Sequence, residues 1–234
     1  VSRHDGGTGR GSTMLPHLAW RMEAMIAGIA ERRPPAPGVI EQALRKVPRH
    51  WFVPSLGLVL DDDGGAVPID RDADPPGWWD AVYSGRPIAT PLDSGSTSYT
   101  CVNPSPSAVA DLLELLDLHH GHRVLEVGTG SGWLTALLCR LAGESGRVTS
   151  VEGDPAVAEV ARRNLAAAGV RPYLVVGDSA QGCPERGPYE RVLAPRTAPE
   201  PWAAQTTPGA VIVGGDGQAV RRVVTAGHMD GHLR

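Results

Sequence analysis

The 234-residue sequence predicts an α/β fold: a Rossmann-like, doubly wound sheet carrying an N-terminal helical arm. Three observations carry this. From about Ser107 onward, short apolar runs alternate with helix-length amphipathic segments, as in parallel strands joined by helical crossovers. One run, Arg123-Val-Leu-Glu-Val127, enters Gly128-Thr-Gly-Ser-Gly132 and then a helical pattern, giving a strand, a glycine turn and a helix in succession. Before Ser107 the early apolar positions repeat at three and four, the spacing of helices that present one face to a core.

In chain order, residues 1–13 are polar and glycine-rich and read as a disordered arm. Leu15, Leu18, Met22, Met25, Ile26 and Ile29 mark one face of a helix that Pro34, Pro35 and Pro37 end. Ile40, Leu44 and Val47 mark a second, short helix, and Val47-Pro-Arg-His-Trp-Phe-Val-Pro54 is an apolar, proline-bracketed segment expected to pack irregularly; residues 14–54 thus form the helical segment. Residues 55–106 read as an insertion loop and a substrate-side segment, with a long surface loop over 61–80 anchored by Trp78 and Trp79.

The core is expected over 107–234. Ser107 to Asp117 is an amphipathic helix with Ser107 as its N-cap. Arg123–Val127 is the first strand, followed by a helix from Trp133 to Leu141. Val148–Val151 is the second strand, and its helix starts with Asp154 as cap and Pro155 at the first position. Tyr173–Val176, Arg191–Ala194 and Ala210–Val213 are three more strands, and Val220–Thr225 adds an antiparallel edge.

Composition narrows the function. Lys plus Arg number 22 against 26 Asp plus Glu, a net charge of −4, the wrong sign for a nucleic-acid binder of the usual kind. Hydrophobic residues at 41% and charged residues at 21% exclude wholesale disorder. There is no apolar run long enough to span a bilayer, and the N-terminus lacks a secretory signal pattern, so a cytoplasmic protein is expected. Cys101, Cys139 and Cys183 are too scattered for a disulfide framework or a paired-cysteine metal site. His119-His-Gly-His122 has no acidic or cysteine partner at ligand spacing, so no metal is expected.

The glycine turn points to a ligand. A dinucleotide fingerprint would put its third glycine at Trp133; the pattern is instead E-x-G-x-G-x-G, with Glu126, Gly128, Gly130 and Gly132. An acid at the strand end suits a cationic ligand, and S-adenosylmethionine carries an ammonium and a sulfonium. Glu152, ending the second strand, is placed to accept both ribose hydroxyls; Asp178, after the third, is placed to accept from the adenine amino group. The expected cofactor set is Glu126, Gly128, Thr129, Gly130, Ser131, Gly132, Trp133, Glu152, Gly153, Asp178 and Ser179, with Trp133 either flanking the cofactor or filling the core.

These segments resemble the protein-L-isoaspartate O-methyltransferase family. The resemblance rests on Val47–Pro54, Val82-Tyr-Ser-Gly-Arg-Pro-Ile88, the glycine turn and Gly177-Asp-Ser-Ala-Gln-Gly-Cys-Pro184. Tyr189-Glu-Arg-Val-Leu193 and Pro201-Trp-Ala-Ala-Gln-Thr-Thr-Pro-Gly209 follow in the family's order. It covers roughly Ile40 to Val224 and implies an S-adenosylmethionine-dependent methyltransferase fold acting on an isoaspartyl or aspartyl carboxylate of a peptide or protein. The family's serine beside the substrate carboxylate lies in a T-I-S-Q-P-like segment, whereas this chain has Gly95-Ser-Thr-Ser-Tyr-Thr-Cys-Val-Asn-Pro-Ser-Pro106. Aligned without gaps on Pro106, the serine position falls on Pro104; with an insertion Ser98 takes it, and Thr100, Asn103 and Ser105 are the other polar candidates. The chain also stops earlier than is usual in the family. Its Asp-rich, Trp-containing insertion over 55–80 resembles that of relatives that tailor ribosomally made peptides through aspartimide.

The chemistry so implied is in-line attack of a carboxylate on the cofactor methyl, with no general base, because a carboxyl of free pKa ~3.9 is already ionised at neutral pH. Repair and tailoring of a dedicated peptide are the two expected substrates of a monomeric enzyme, with tailoring slightly favoured and with neither nucleic acid nor membrane as partner. Two alternatives stand beside this reading: a cofactor-binding module with impaired catalysis, and a methyltransferase of another substrate class. Ala194-Pro-Arg-Thr197 stands where nucleic-acid amino-methylating enzymes carry a D/N-P-P-Y-like motif.

Overall fold

A computed structural model describes residues 16–32, 38–61, 63–91, 99–194, 200–214, 220–225 and 228–232; the expected disordered arm lies outside them. Two helices open the described chain, α1 (Pro16–Arg32) and α2 (Gly38–Lys46). They bury Met22, Ile26, Ile29, Ile40 and Leu44, the faces that the three-and-four spacing predicts. A single 3-10 turn, Arg49–Phe52, follows in the proline-bracketed segment.

The described residues between 56 and 103 hold regular structure where a long surface loop over 61–80 is expected. They form a four-stranded antiparallel sheet of β1 (Leu56–Leu60), β2 (Ala66–Asp70), β3 (Ile88–Pro91) and β4 (Tyr99–Asn103) in the order β2-β1-β3-β4. The acidic run is the hairpin turn: Asp61 N–H donates to Gly65 O (2.9 Å), Asp63 Oδ1 accepts from Gly65 N–H (2.9 Å), and Gly64 takes φ 85°. Between β2 and β3 lies α3 (Pro75–Val82), where Asp74 caps the Gly77 N–H and Pro75 occupies the first turn. Trp78 is buried and its Nε1–H donates to Pro54 O (3.0 Å), so it anchors the insertion as expected; the surface loop around it is corrected to a strand and a helix.

The core begins with α4 (Pro106–Leu116). Its N-cap is Ser105, whose Oγ accepts from Ala108 N–H (3.2 Å), not Ser107: the helix starts at Pro106, whose missing N–H costs nothing in a first turn. The order then runs β5 (Arg123–Val127), α5 (Trp133–Ala142), β6 (Arg147–Glu152), α6 (Pro155–Ala167), β7 (Tyr173–Val176) and β8 (Tyr189–Ala194). After these come α7 (Glu200–Ala203), β9 (Thr206–Gly214), β10 (Val220–Thr225) and β11 (His228–His232). The sheet order is β11-β10-β9-β8-β5-β6-β7, with β5 to β9 parallel and β10 and β11 antiparallel. β10 is antiparallel as expected, but β11 rather than β10 forms the edge.

α5 packs on β5 and β6, α6 on β6 and β7, and α4 on β8 and β9. The other face is covered by less: the β7–β8 connection holds two 3-10 turns, Ser179–Gln181 and Pro184–Arg186, and α7 is one turn long. Gln205 stitches that layer, donating to Gln181 O (2.7 Å) and Pro201 O (2.9 Å) and accepting from Cys183 N–H (2.9 Å). Among the described residues no helix is long and apolar enough to cross a membrane.

Asp154 caps α6 as its sequence position predicts, with Oδ1 accepting from Ala156 N–H (2.8 Å) and Val157 N–H (3.3 Å). Asp154→Ala is expected to lower stability by about 1 kcal/mol, read from the urea midpoint at constant slope. A midpoint unmoved from wild type contradicts this role of the cap.

Candidate active site

The chain winds outward from β5 through β6 to β7, then returns to the other side of β5 with β8. The carboxyl end of β5 is therefore the topological switch point, where a crevice opens between oppositely running crossovers. The glycine turn sits there. Gly130 takes φ 56° and Gly132, the residue before α5, takes φ 90°; a side chain at Gly132 would meet Leu165 Cγ at 3.0 Å. Only glycine combines that backbone with that contact.

Glu152 ends β6 and ties the turn down: its Oε2 accepts from Gly130 N–H (3.0 Å) and its Oε1 from Asp154 N–H (3.1 Å). Each oxygen keeps accepting capacity beyond those bonds. Asp178, after β7, is exposed, with Oδ1 accepting from Ala180 N–H (2.9 Å). Gly177 N–H donates to Glu152 O (3.0 Å), so the two acids stand on adjoining strand ends. Gly153 and Ser179 face each other across that junction, with Ser179 Oγ 3.6 Å from where a Gly153 Cβ would be.

Glu126 lies deeper, buried beneath the turn. Its Oε2 accepts from Thr135 Oγ1 and Ser150 Oγ (2.7 Å), and its Oε1 has no hydrogen-bond partner. Burial pushes this carboxyl up to about 7, and the Glu152 charge adds to the rise. An unpartnered buried acceptor beside a second carboxylate is a site that a cation would stabilise.

The remaining expected residues divide. Thr129 bonds Ser150 Oγ (2.7 Å), and Ser131 Oγ donates to Asn103 Oδ1 (2.6 Å), so both hydroxyls are used within the protein. Gly128 N–H donates to Val151 O (2.8 Å), setting the turn against β6. Of the two alternatives for Trp133, its side chain takes the core: it is 1% exposed, and its Nε1–H donates to Val47 O (3.1 Å). Asn103 is buried, with Nδ2–H donating to Phe52 O (2.9 Å), and Ser105 serves as the α4 cap. Thr100 is carried by β4, with its side chain outside the described set, and Ser98 lies outside the described residues.

Arg49 is the structural residue that sequence reasoning missed. Fully buried, it donates through Nη1 to Val82 O (3.0 Å) and Ser84 O (3.4 Å). Through Nη2 it reaches Arg86 O (3.0 Å), Asn103 O (3.2 Å) and Pro104 O (2.9 Å). It thereby joins the 3-10 turn, the end of α3, the approach to β3 and the end of β4. Its only sequence signal is one arginine in an apolar, proline-bracketed run.

Beside the glycine turn lies a cavity of about 470 Å³, walled by the 3-10 turn, β1, β3, β4 and α6. Its lining includes His50, Trp51, Arg71, Thr90, Ser131 and Arg163. His50 Nδ1 bonds Tyr83 OH (2.7 Å), and its ring meets Trp79 edge-on at 5.0 Å. Burial holds His50 down at about 4, so it is neutral at physiological pH.

A glycine turn at the switch point, an acid at the end of each of the next two strands and helices layered on the sheet define a Rossmann-like methyltransferase fold. Solved structures agree on the fold. A protein-L-isoaspartate O-methyltransferase superposes with a TM-score of 0.72 at 24% identity, over 91% of this chain and 63% of that one. A Plasmodium falciparum protein described as a putative protein-L-isoaspartate O-methyltransferase, in complex with S-adenosyl-L-homocysteine, gives 0.63 at 12% identity, over 91% and 94%. The family model for protein-L-isoaspartate(D-aspartate) O-methyltransferase matches residues 83–226, and the chain belongs to that family. The Aeropyrum pernix protein-L-isoaspartate O-methyltransferase is 36% identical over 162 residues, 68% of this chain and 52% of that protein. The chain thus spans about half the length of that curated relative.

Proposed function

We propose that this chain is an S-adenosylmethionine-dependent carboxyl O-methyltransferase whose substrate is an isoaspartyl or aspartyl residue of a peptide or protein. The single observation that carries the reading is the glycine turn at the switch point with Glu126 buried beneath it and Glu152 tied to it. Glu126 Oε1 is buried without a partner and Glu152 retains accepting capacity, the donor-poor set that a cationic adenosyl ligand fits. When bound, S-adenosylmethionine supplies an electrophilic methyl group.

The chain's part is to hold and to exclude water. Glu152 accepts from the ribose hydroxyls, Asp178 from the adenine amino group, and Glu126 Oε1 compensates the ammonium. The substrate carboxylate arrives ionised, so the protein needs no base; alignment of nucleophile and methyl is worth about 7–11 kcal/mol where the geometry is near attack. Thr100 and Ser98 are assigned to orient that carboxylate, because Asn103 and Ser105 are committed to internal bonds. Neighbouring Cys101 lines the cavity and comes 3.3 Å from where a Gly130 Cβ would be, which sets β4 against the glycine turn. A dedicated peptide substrate is favoured over general repair by the small sheet and α3, which supply Arg71 to the cavity beside the turn. The proposal includes a monomer acting in the cytoplasm, consistent with its free cysteines.

The reading is tested by calorimetric titration with S-adenosylhomocysteine, whose ammonium needs Glu126 ionised. A group raised to about 7 in the free protein is partly protonated at neutral pH, so binding releases a proton and weakens as pH falls from 8 towards 5.5. The same shift makes Glu126 a stabilising group of the free fold below its unfolded pKa, a contribution lost as pH rises through about 7. Glu126→Gln is expected to flatten the pH dependence of binding. Absence of S-adenosylhomocysteine binding at pH 8 overturns the proposal.

A further inference from the structure

The cavity beside the glycine turn has an unbalanced charge. The protein as a whole carries −4, yet none of the residues lining this cavity is Asp or Glu, and two are arginines. Arg71 comes from the turn between β2 and α3, and Arg163 from α6. Arg71 is held in place without being neutralised: its Nη2 donates to Ser55 Oγ (2.9 Å) and its guanidinium lies 5.2 Å from the Trp78 ring centroid. The acid beside it in sequence, Asp70, accepts from the N–H groups of Asp72 (2.8 Å) and Ala73 (3.3 Å). Other arginines of the surface do meet acids: Arg21 meets Asp80, Arg45 meets Glu23, Arg86 meets Asp61, and Arg162, the neighbour of Arg163, meets Glu159. Among the described residues neither Arg71 nor Arg163 forms such a pair.

We propose that Arg71 and Arg163 make this cavity a subsite for a second carboxylate, borne by an acidic residue flanking the one that is methylated, so that the preferred substrate is an acidic peptide. This rests on the carboxyl-methyltransfer reading. Two cations and no acid among the lining residues select an anion, while His50, neutral at physiological pH, and Trp51 give the flanking chain an aromatic rim. The guanidinium is suited to a carboxylate because it offers parallel donors.

The test compares isoaspartyl peptides that differ only in the flanking residue, Asp against Asn. Methyl transfer gives kcat/KM, and calorimetry in the presence of S-adenosylhomocysteine gives peptide affinity. Wild type is expected to prefer the Asp-flanked peptide by about tenfold, the scale of one charge-assisted hydrogen bond. The preference should collapse towards one in Arg71→Gln and Arg163→Gln. It should persist in Arg71→Lys, which keeps the charge, and in Arg147→Gln at the amino end of β6, the strand end away from the glycine turn. Equal use of both peptides, or a preference that survives in both glutamine variants, overturns the subsite while leaving carboxyl methylation intact. If no peptide is methylated, the parent reading fails and affinity decides: an arginine-dependent preference for the Asp-flanked peptide still supports the subsite, and none overturns it. If the glutamine variants lose S-adenosylhomocysteine affinity but keep the peptide preference, the carboxylate in the cavity is the cofactor's own, which also overturns it.

Discussion

Arg49→Ala is expected to destabilise the fold by about 3–5 kcal/mol, the range for stripping one partner from a buried charged network. The side chain is fully buried and contributes donors to five carbonyl oxygens from three places in the chain, none of them near it in sequence. Alanine leaves those carbonyls inside the protein with fewer donors and opens space beside the Trp133 ring, whose centroid is 5.3 Å from the guanidinium. Burial holds Arg49 down at about 9, still high enough to keep its charge at pH 7. For a chain of this size such a loss corresponds to a fall in Tm of about 6–20 °C. Arg49→Lys keeps the charge but offers three donors to five acceptors, so it should fall between alanine and wild type. A denaturation midpoint for Arg49→Ala close to wild type would falsify the claim that this one residue gathers the N-terminal segment onto the small sheet.

Glu152→Ala is expected to weaken S-adenosylhomocysteine binding by about 10²–10⁴-fold, through loss of two charge-assisted bonds to the ribose hydroxyls. The variant also frees the Gly130 and Asp154 N–H groups that the carboxylate holds at 3.0 and 3.1 Å, so the glycine turn loses its tether to β6. Glu152→Gln separates the two effects. Its one carbonyl oxygen can serve a single N–H, while its amide hydrogens oppose the other, so the affinity loss should be smaller but clear. Calorimetry reads both variants, with far-UV circular dichroism confirming an intact sheet. Affinity for Glu152→Ala within threefold of wild type would remove Glu152 from the site.

The parts of the molecule legible in the sequence are those whose cause is local. β7 and the helix capped by Asp154 lie at the expected positions because Tyr173-Leu-Val-Val176 is a short continuous apolar run and caps act within three residues. The small sheet was not legible because only its β1–β2 hairpin is local: β1 also pairs with β3, Val59 opposite Ile88, across the rest of the insertion. β2 reads poorly as a strand because it contains Pro68, tolerated since β2 is the edge. Asp61 to Gly65 and Asp74-Pro-Pro-Gly77 looked like loop because turn and cap residues are the same types, and only their partners reveal what they join.

In the site, the glycines and the acids at the strand ends were legible by spacing. The commitments of Thr129, Ser131, Asn103 and Trp133 were not, since each bonds a residue at least 21 positions away. Arg49 was invisible for the same reason: its partners are backbone carbonyls, which carry no residue identity. Gln205 belongs with it, serving the Gly182 turn from across the second face.

The most direct test of the central claim is transfer of a labelled methyl group from S-adenosylmethionine to a matched pair of peptides, one isoaspartyl and one aspartyl. The account predicts label on at least one of the pair, released by mild alkali as a carboxyl ester would be and abolished in Glu152→Ala. Alkali-stable label, or none on either peptide from a protein that binds S-adenosylhomocysteine, would contradict carboxyl methylation of such peptides.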